Sequence, residues 1–168
     1  EVPRSERVAK ERQKPLFAEM PDSKLPQVDL LDGAQVRQET VSAETLDMIA
    51  AHIRPGVTTG EIDQLCHDFM VGRGAVPATL RYRGYTKSSC TSVNHVVCHG
   101  IPGDRVLADG DIVNIDVTVI LDGWHGDTSR MFVAGTPSTK ARLLMDVTYE
   151  SMMRGIAAIK PGATLGDV

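Results

Sequence analysis

Cysteine and aromatic side chains are both scarce in this chain. Its three cysteines, Cys66, Cys90 and Cys98, are odd in number and include no C-x-x-C pair. That pattern argues against a disulfide framework or a structural zinc ribbon and leaves reduced thiols. One Trp, three Tyr and three Phe make up 4% of the 168 residues, so a core must be built mainly from aliphatic side chains. With 42% hydrophobic residues the chain can bury one domain of ordinary size. No apolar stretch approaches the roughly 20 residues a membrane helix needs, and charged residues stand where a signal peptide would be apolar. The expected location is therefore the cytoplasm, with no membrane partner. A strong excess of either sign of charge is missing too. The net charge is −4, and lysine and arginine are scattered rather than banded, which gives no footprint for nucleic acid.

What is present divides the chain. Eleven of the first 24 residues are charged, and Pro3, Pro15, Pro21 and Pro26 punctuate them without any apolar period. This composition predicts a disordered or loosely held tail over residues 1–30, followed by a domain over residues 31–168. From Val41 through Leu46, Ile49 and Ile53 apolar residues recur at helical spacing until Pro55-Gly56 stops the run. Thr58 and Glu61 have the spacing of a capping box, in which each side chain satisfies the other's orphan backbone amide. Ile62, Leu65, Cys66, Phe69 and Met70 then share one helical face, and Gly72-Arg73-Gly74 ends it. Strands are predicted over residues 91–98, 112–121 and 124–134, before a helix from Ser138 that carries Leu144, Val147, Ile156 and Ile159. The class is α+β with antiparallel pairing.

One segment returns. Ile53-Arg54-Pro55-Gly56-Val57-Thr58-Thr59-Gly60-Glu61-Ile62 matches Ile159-Lys160-Pro161-Gly162-Ala163-Thr164-Leu165-Gly166-Asp167-Val168, 106 residues later, with five of ten positions identical. Both copies follow a helix and open a capping box, so the second copy reads as the start of a second structural repeat. A helix stop followed by an N-cap is also a common local device, which is the plainer account.

Asp122-Gly123 separates two strand-like runs and is a favoured type I′ hairpin turn. With these two as the loop, Thr118 faces Asp127 and Asp116 faces Ser129, so Asp116 and Asp127 share a face as diagonal neighbours. Two ionised carboxylates held together repel, and a divalent cation relieves the repulsion. Hard oxygen ligands suit Mn, Fe(II), Co or Zn in a two-metal hydrolytic site. Acidic residues on a half-exposed hairpin equally well face solvent, and spacing alone does not decide between the two.

The chain resembles the type I methionine aminopeptidases of the pita-bread fold from about Leu46 to Val168. The stretches that carry the resemblance are Arg54-Pro55-Gly56-Val57-Thr58-Thr59-Gly60-Glu61, Gly84-Tyr85-Thr86-Lys87-Ser88-Ser89-Cys90, Asn94-His95-Val96-Val97-Cys98-His99-Gly100-Ile101-Pro102, Asp109-Gly110-Asp111-Ile112-Val113-Asn114-Ile115-Asp116-Val117-Thr118, and His125-Gly126-Asp127-Thr128-Ser129. The resemblance implies a first pseudo-repeat that is complete and a second only begun. It implies a centre of two divalent metal ions, with Asp116 chelating one and Asp127 bridging both. The remaining ligands, one histidine and two glutamates, belong to the second repeat and are not matched in this chain. His99 matches the family histidine beside the scissile bond, where it binds the substrate amide; imidazole suits that role because it donates or accepts near neutral pH. Tyr82, Tyr85 and Cys90 match residues that line the methionine pocket, and Asn94 matches a monovalent cation site.

The implied reaction is release of an N-terminal methionine by a metal-bound hydroxide, with nascent peptides as substrates and the ribosome near its tunnel exit as a possible neighbour. The isolated chain is expected to be inactive without a polypeptide that supplies the second repeat. Two departures stand out. Thr79 replaces a cysteine common in bacterial members, and Gln35-Val36-Arg37-Gln38-Glu39 replaces the usual opening of the first helix. Two other readings compete: a different pita-bread peptidase, such as a proline-directed aminopeptidase, and a non-catalytic binding module that kept the fold. A cysteine protease built on Cys98 and His99 is disfavoured, because adjacent residues in a strand point to opposite faces.

Overall fold

A computed structural model describes residues 41–168, which lie in one compact unit, Gln38–Val168. The tail expected over residues 1–30, the boundary at residue 31 and the departure over residues 35–39 fall outside the described residues.

Helix α1 (Val41–Ala50) buries Val41, Thr45, Leu46 and Ile49, and its chain then turns, with the His52 amide donating to the Ile49 carbonyl at 2.8 Å. The helix therefore stops short of Ile53, the last apolar residue of the periodic run. Gly56 follows at φ +92°, a conformation that suits glycine, and leads into α2 (Thr59–Gly72). The expected capping box is present in full. The Thr58 hydroxyl accepts from the Glu61 amide, and the Thr58 amide donates to Glu61 Oε2 at 2.7 Å. Ile62, Cys66 and Met70 are completely buried along this helix, while Leu65 and Phe69 flank them half-buried.

The sheet is antiparallel throughout. Strands β1 (Val76–Pro77) and β2 (Cys90–Val93) share one edge of the long strand β3 (Ile112–Leu121), and β4 (Trp124–Val133) runs along the other edge. Asp122 and Gly123 both have positive φ, 52° and 85°, as a type I′ turn requires. Leu121 pairs with Trp124, Thr118 with Asp127 and Asp116 with Ser129, which is the register the hairpin arithmetic predicts.

Alternation on β3 divides the sheet into two faces. Val113, Ile115, Val117 and Val119 are fully buried against Leu46 and Ile49 of α1 and against Ile62, Cys66 and Met70 of α2. Burial of each such side chain contributes about 1.5–3 kcal/mol relative to exposure. Asn114, Asp116, Thr118 and Ile120 point to the other, half-open face. Helix α1 is tied to β4 as well, through the Ser42 and Thr128 hydroxyls at 3.1 Å and through Arg130 and Asp47 at 2.6 Å.

Two expectations need correcting. The strand predicted over residues 91–98 ends at Val93, because Asn94 turns the chain at φ +53° and its backbone amide donates to the Ile112 carbonyl. His99 therefore lies on a loop, itself at φ +53°, and the strand argument that separated it from Cys98 does not apply. The last helix, α3 (Thr139–Ala158), is capped by the Ser138 hydroxyl as its sequence suggests. Its apolar residues, however, stay outside the core of the described residues: Gly155 alone is buried, and Leu144, Val147 and Ile156 are each more than half exposed.

The repeated segment repeats its geometry. Gly162 has φ +89° against +92° for Gly56, and the Thr164 amide donates to Asp167 Oδ2 at 2.8 Å just as Thr58 does to Glu61. The second copy opens a short 3-10 helix, Leu165–Asp167.

Candidate metal centre

The half-open face of the sheet collects the acidic pair. Asp116 on β3 and Asp127 on β4 stand as diagonal neighbours on one face, because Asp116 pairs with Ser129 and Asp127 with Thr118. The Thr118 hydroxyl donates to Asp127 Oδ1 at 3.0 Å. The Asp116 carboxyl is held above its usual range, first by partial burial and then by the neighbouring Asp127 carboxylate, while His99 works in the opposite direction. The two carboxylates therefore converge, and His99 is close enough to be felt. No lysine or arginine among the described residues forms an ion pair with either of them. A convergent, acceptor-only pair without a cationic side chain fits a hard divalent cation as two of its ligands. Among the described residues no group of three or more His, Cys, Asp or Glu could hold a metal ion.

A cavity of about 350 Å³ adjoins the pair and is lined by Thr79, Tyr82, Tyr85, Cys90 and His99. The sheet register explains why, since Cys90 of β2 pairs directly with Asp116 and so faces the same side. Tyr85 donates to the Ser89 carbonyl at 2.8 Å and reaches Cys90 Sγ at 3.5 Å. Burial, reinforced by the bond to Cys90, pushes the Tyr85 hydroxyl up; burial also raises the Cys90 thiol, and Asp116 adds to that. Both groups are therefore neutral at physiological pH, and the pocket presents an aromatic face and a polarisable sulfur. Tyr82 forms an open wall, 63% exposed, with the Arg83 guanidinium over its ring. Thr79, the departure from the bacterial pattern, also lines the cavity, and its hydroxyl donates to the Lys87 carbonyl at 3.0 Å.

His99 is held by its neighbour. The Gly100 carbonyl accepts from the Thr91 amide at 2.8 Å, and the Gly100 amide donates to the Ser92 hydroxyl at 3.1 Å. A Cβ at Gly100 would lie 2.1 Å from the Thr91 carbonyl oxygen, so the loop can approach β2 only with glycine there. Asn94 is engaged at both ends of its side chain: Nδ2 donates to Asp111 and Oδ1 accepts from the Ile112 amide. Asp111 also accepts from the Ala108 amide and from Arg105, so this network anchors the start of the loop that ends in His99.

Two participants were not singled out from the sequence. Thr118 orients Asp127, and Asp63 of α2 accepts from the Ser88 and Ser89 amides and from the Ser89 hydroxyl. A signal for Asp63 does exist, because a carboxylate beside Ile62 on a face with Cys66 and Met70 needs a buried partner.

Residues 37–168 match metallopeptidase family M24. Over 128 residues the chain is 58% identical to the methionine aminopeptidase of Rickettsia prowazekii (strain Madrid E), covering 76% of this chain and 49% of that protein. The crystal structure of methionine aminopeptidase from Rickettsia prowazekii superposes with a TM-score of 0.68 at 59% identity, over 69% of this chain and 47% of that one. That of the methionine aminopeptidase from Thermotoga maritima gives 0.69 at 31% identity, over 72% and 49%. The chain thus spans about half the length of the relatives it matches. On the family match, these identities and the shared architecture, the chain belongs to metallopeptidase family M24 and has the pita-bread fold of the methionine aminopeptidases.

Proposed function

We propose that this chain forms part of a metal-dependent aminopeptidase that hydrolyses the bond after an N-terminal methionine. The observation that carries the reading is the placement of two convergent carboxylates, Asp116 and Asp127, beside a cavity lined by Tyr82, Tyr85, Cys90 and His99. Membership of a metallopeptidase family implies divalent metal ions. On this reading there are two of them, Co, Mn, Fe(II) or Zn, with Asp116 and Asp127 as ligands. When bound, they supply an activated water and an electrophile for the peptide carbonyl.

The chain's own residues do the remaining work. Asp127 is oriented by the Thr118 hydroxyl, which occupies one lone pair and leaves the others to the centre. The methionine thioether enters the cavity, where the neutral Tyr85 and Cys90 and the ring of Tyr82 match a flexible, polarisable side chain. His99 lines the cavity from a left-handed turn and hydrogen-bonds the substrate amide. Asn94, whose side chain is already satisfied, offers a monovalent cation only its remaining lone pairs. Nascent peptides beginning with Met are the substrate class, which places the work near the ribosome in the cytoplasm. Among the described residues no helix is long and apolar enough to cross a membrane.

The test compares the 168-residue chain alone with the chain mixed with a polypeptide that carries a second repeat, using Met-Ala-Ser and Mn²⁺ or Co²⁺. Metal-dependent release of methionine in the mixture supports the reading. Metal binding with no release in either sample, while an intact relative cleaves the same peptide, would favour a non-catalytic module. Preferential cleavage of a peptide with proline in second position would favour a proline-directed relative.

A further inference from the structure

Asp63 is a buried carboxylate, 7% exposed, on the inward side of α2, and no basic side chain pairs with it among the described residues. Its needs are met by one short segment. A single oxygen, Oδ1, accepts from the Ser88 amide at 3.0 Å, the Ser89 amide at 2.8 Å and the Ser89 hydroxyl at 2.7 Å. One turn further along the same helix, His67 Nδ1 meets the Ser88 hydroxyl at 2.8 Å. Residues i and i+4 of α2 thus grip two consecutive residues of a segment that has no regular secondary structure of its own.

The position of that segment matters. The Ser89 carbonyl accepts from the Tyr85 hydroxyl, and Ser89 immediately precedes Cys90, the residue paired with Asp116. From the rigid helix the chain of contacts runs through Ser89 to both Tyr85 and Cys90, the aromatic and sulfur walls of the cavity. Backbone donors to a carboxylate are among the stronger hydrogen bonds, and burial makes them costly to lose.

We infer that Asp63 is a positioning residue for the methionine pocket, setting the separation of Tyr85 and Cys90 by clamping the Ser88 and Ser89 amides to α2. The inference rests on the proposed methionine pocket, and it concerns selectivity rather than bond cleavage, since Asp63 does not line the cavity and its hydrogen bonds go to Ser88 and Ser89 rather than to Asp116 or Asp127.

The test uses the 168-residue chain with Asp63→Ala and the milder Asp63→Asn, which keeps an acceptor oxygen but not the charge. Binding of Met-Ala-Ser and Gly-Ala-Ser is followed by amide chemical shifts, with cooperative thermal unfolding as the check on folding. A loss of fold lowers the fraction that binds both peptides, whereas displacement of the pocket walls changes their ratio. The expected result is that Asp63→Ala lowers the preference for methionine over glycine about tenfold, and that Asp63→Asn recovers part of it. The Ser88 and Ser89 amide signals should move upfield in step with this loss. A wild-type preference that both variants keep within twofold would overturn the inference and leave the pocket reading intact. Absence of any methionine preference in the wild type would overturn the pocket reading and the inference together.

Discussion

Removing one of the two carboxylates should have opposite effects with and without metal. Consider Asp127→Asn in the 168-residue chain. Two unit charges about 4 Å apart interact with roughly 4 kcal/mol at an effective dielectric of 20. Asp127 is exposed and solvent screens most of that repulsion, so about 1 kcal/mol is the reasonable share. The amide keeps an oxygen for the Thr118 hydroxyl, so little is lost in exchange. In a chelating buffer the variant should therefore be more stable than the wild type by about 1 kcal/mol. For a unit of this size that corresponds to a rise of roughly 3–4 °C in the unfolding midpoint. Added Mn²⁺ should reverse the order. At a hundredfold excess over its dissociation constant the ion stabilises the wild type by about 2.7 kcal/mol, whereas the variant, left with one of the two ligands, gains far less. Differential scanning calorimetry of both proteins in chelator and in Mn²⁺ reads all four midpoints. A lower midpoint for the variant in chelator would refute the claim that the carboxylates repel. An equal gain from Mn²⁺ in both proteins would place the ion elsewhere.

Further expectations follow from single contacts. Gly100→Ala drives a Cβ to 2.1 Å from the Thr91 carbonyl and should cost about 1–3 kcal/mol in urea unfolding, with the largest amide shifts at His99 and Thr91. Of the three thiols, exposed Cys98 should alkylate first at pH 8, while Cys66, fully buried and with its thiol pushed up to about 12 mainly by that burial, should resist until the chain unfolds; peptide mass mapping gives the order. Although burial works against it, Asp111 is held below its usual range by the Ala108 amide, the Asn94 side chain and Arg105. A carboxyl lowered on folding adds stability that is complete above its unfolded value, about 3.9, and is lost as pH falls through the folded one. Asp111→Asn should accordingly lose about 1.5–3 kcal/mol at pH 7 and show a flatter acid limb in unfolding between about pH 5 and 2; an unchanged limb would remove Asp111 as an anchor of the His99 loop.

The parts of this protein readable in the sequence are those decided by neighbours along the chain. The Thr58–Glu61 capping box, the Asp122-Gly123 turn and the register it sets depend on residues within a few positions of one another, so spacing alone carries them. From that register it follows that Asp116 and Asp127 share a face. The long motifs around His99 and Cys90 carried the family, and with it the pocket residues that the structure gathers into one cavity. Alternation could not show where the strand after Cys90 stops, because that end depends on Asn94 being held by Asp111 and Ile112, 17 and 18 residues away. Nor could it show which apolar faces find partners: α2 is buried against β3, while α3, which also carries apolar residues along its length, is not buried among the described residues. Only the tertiary structure decided that the two carboxylates converge beside the cavity, and that a third, Asp63, turns inward to hold its walls. A side chain's environment is set by whatever the fold brings against it, and for these three carboxylates the deciding contacts come from other elements of the fold.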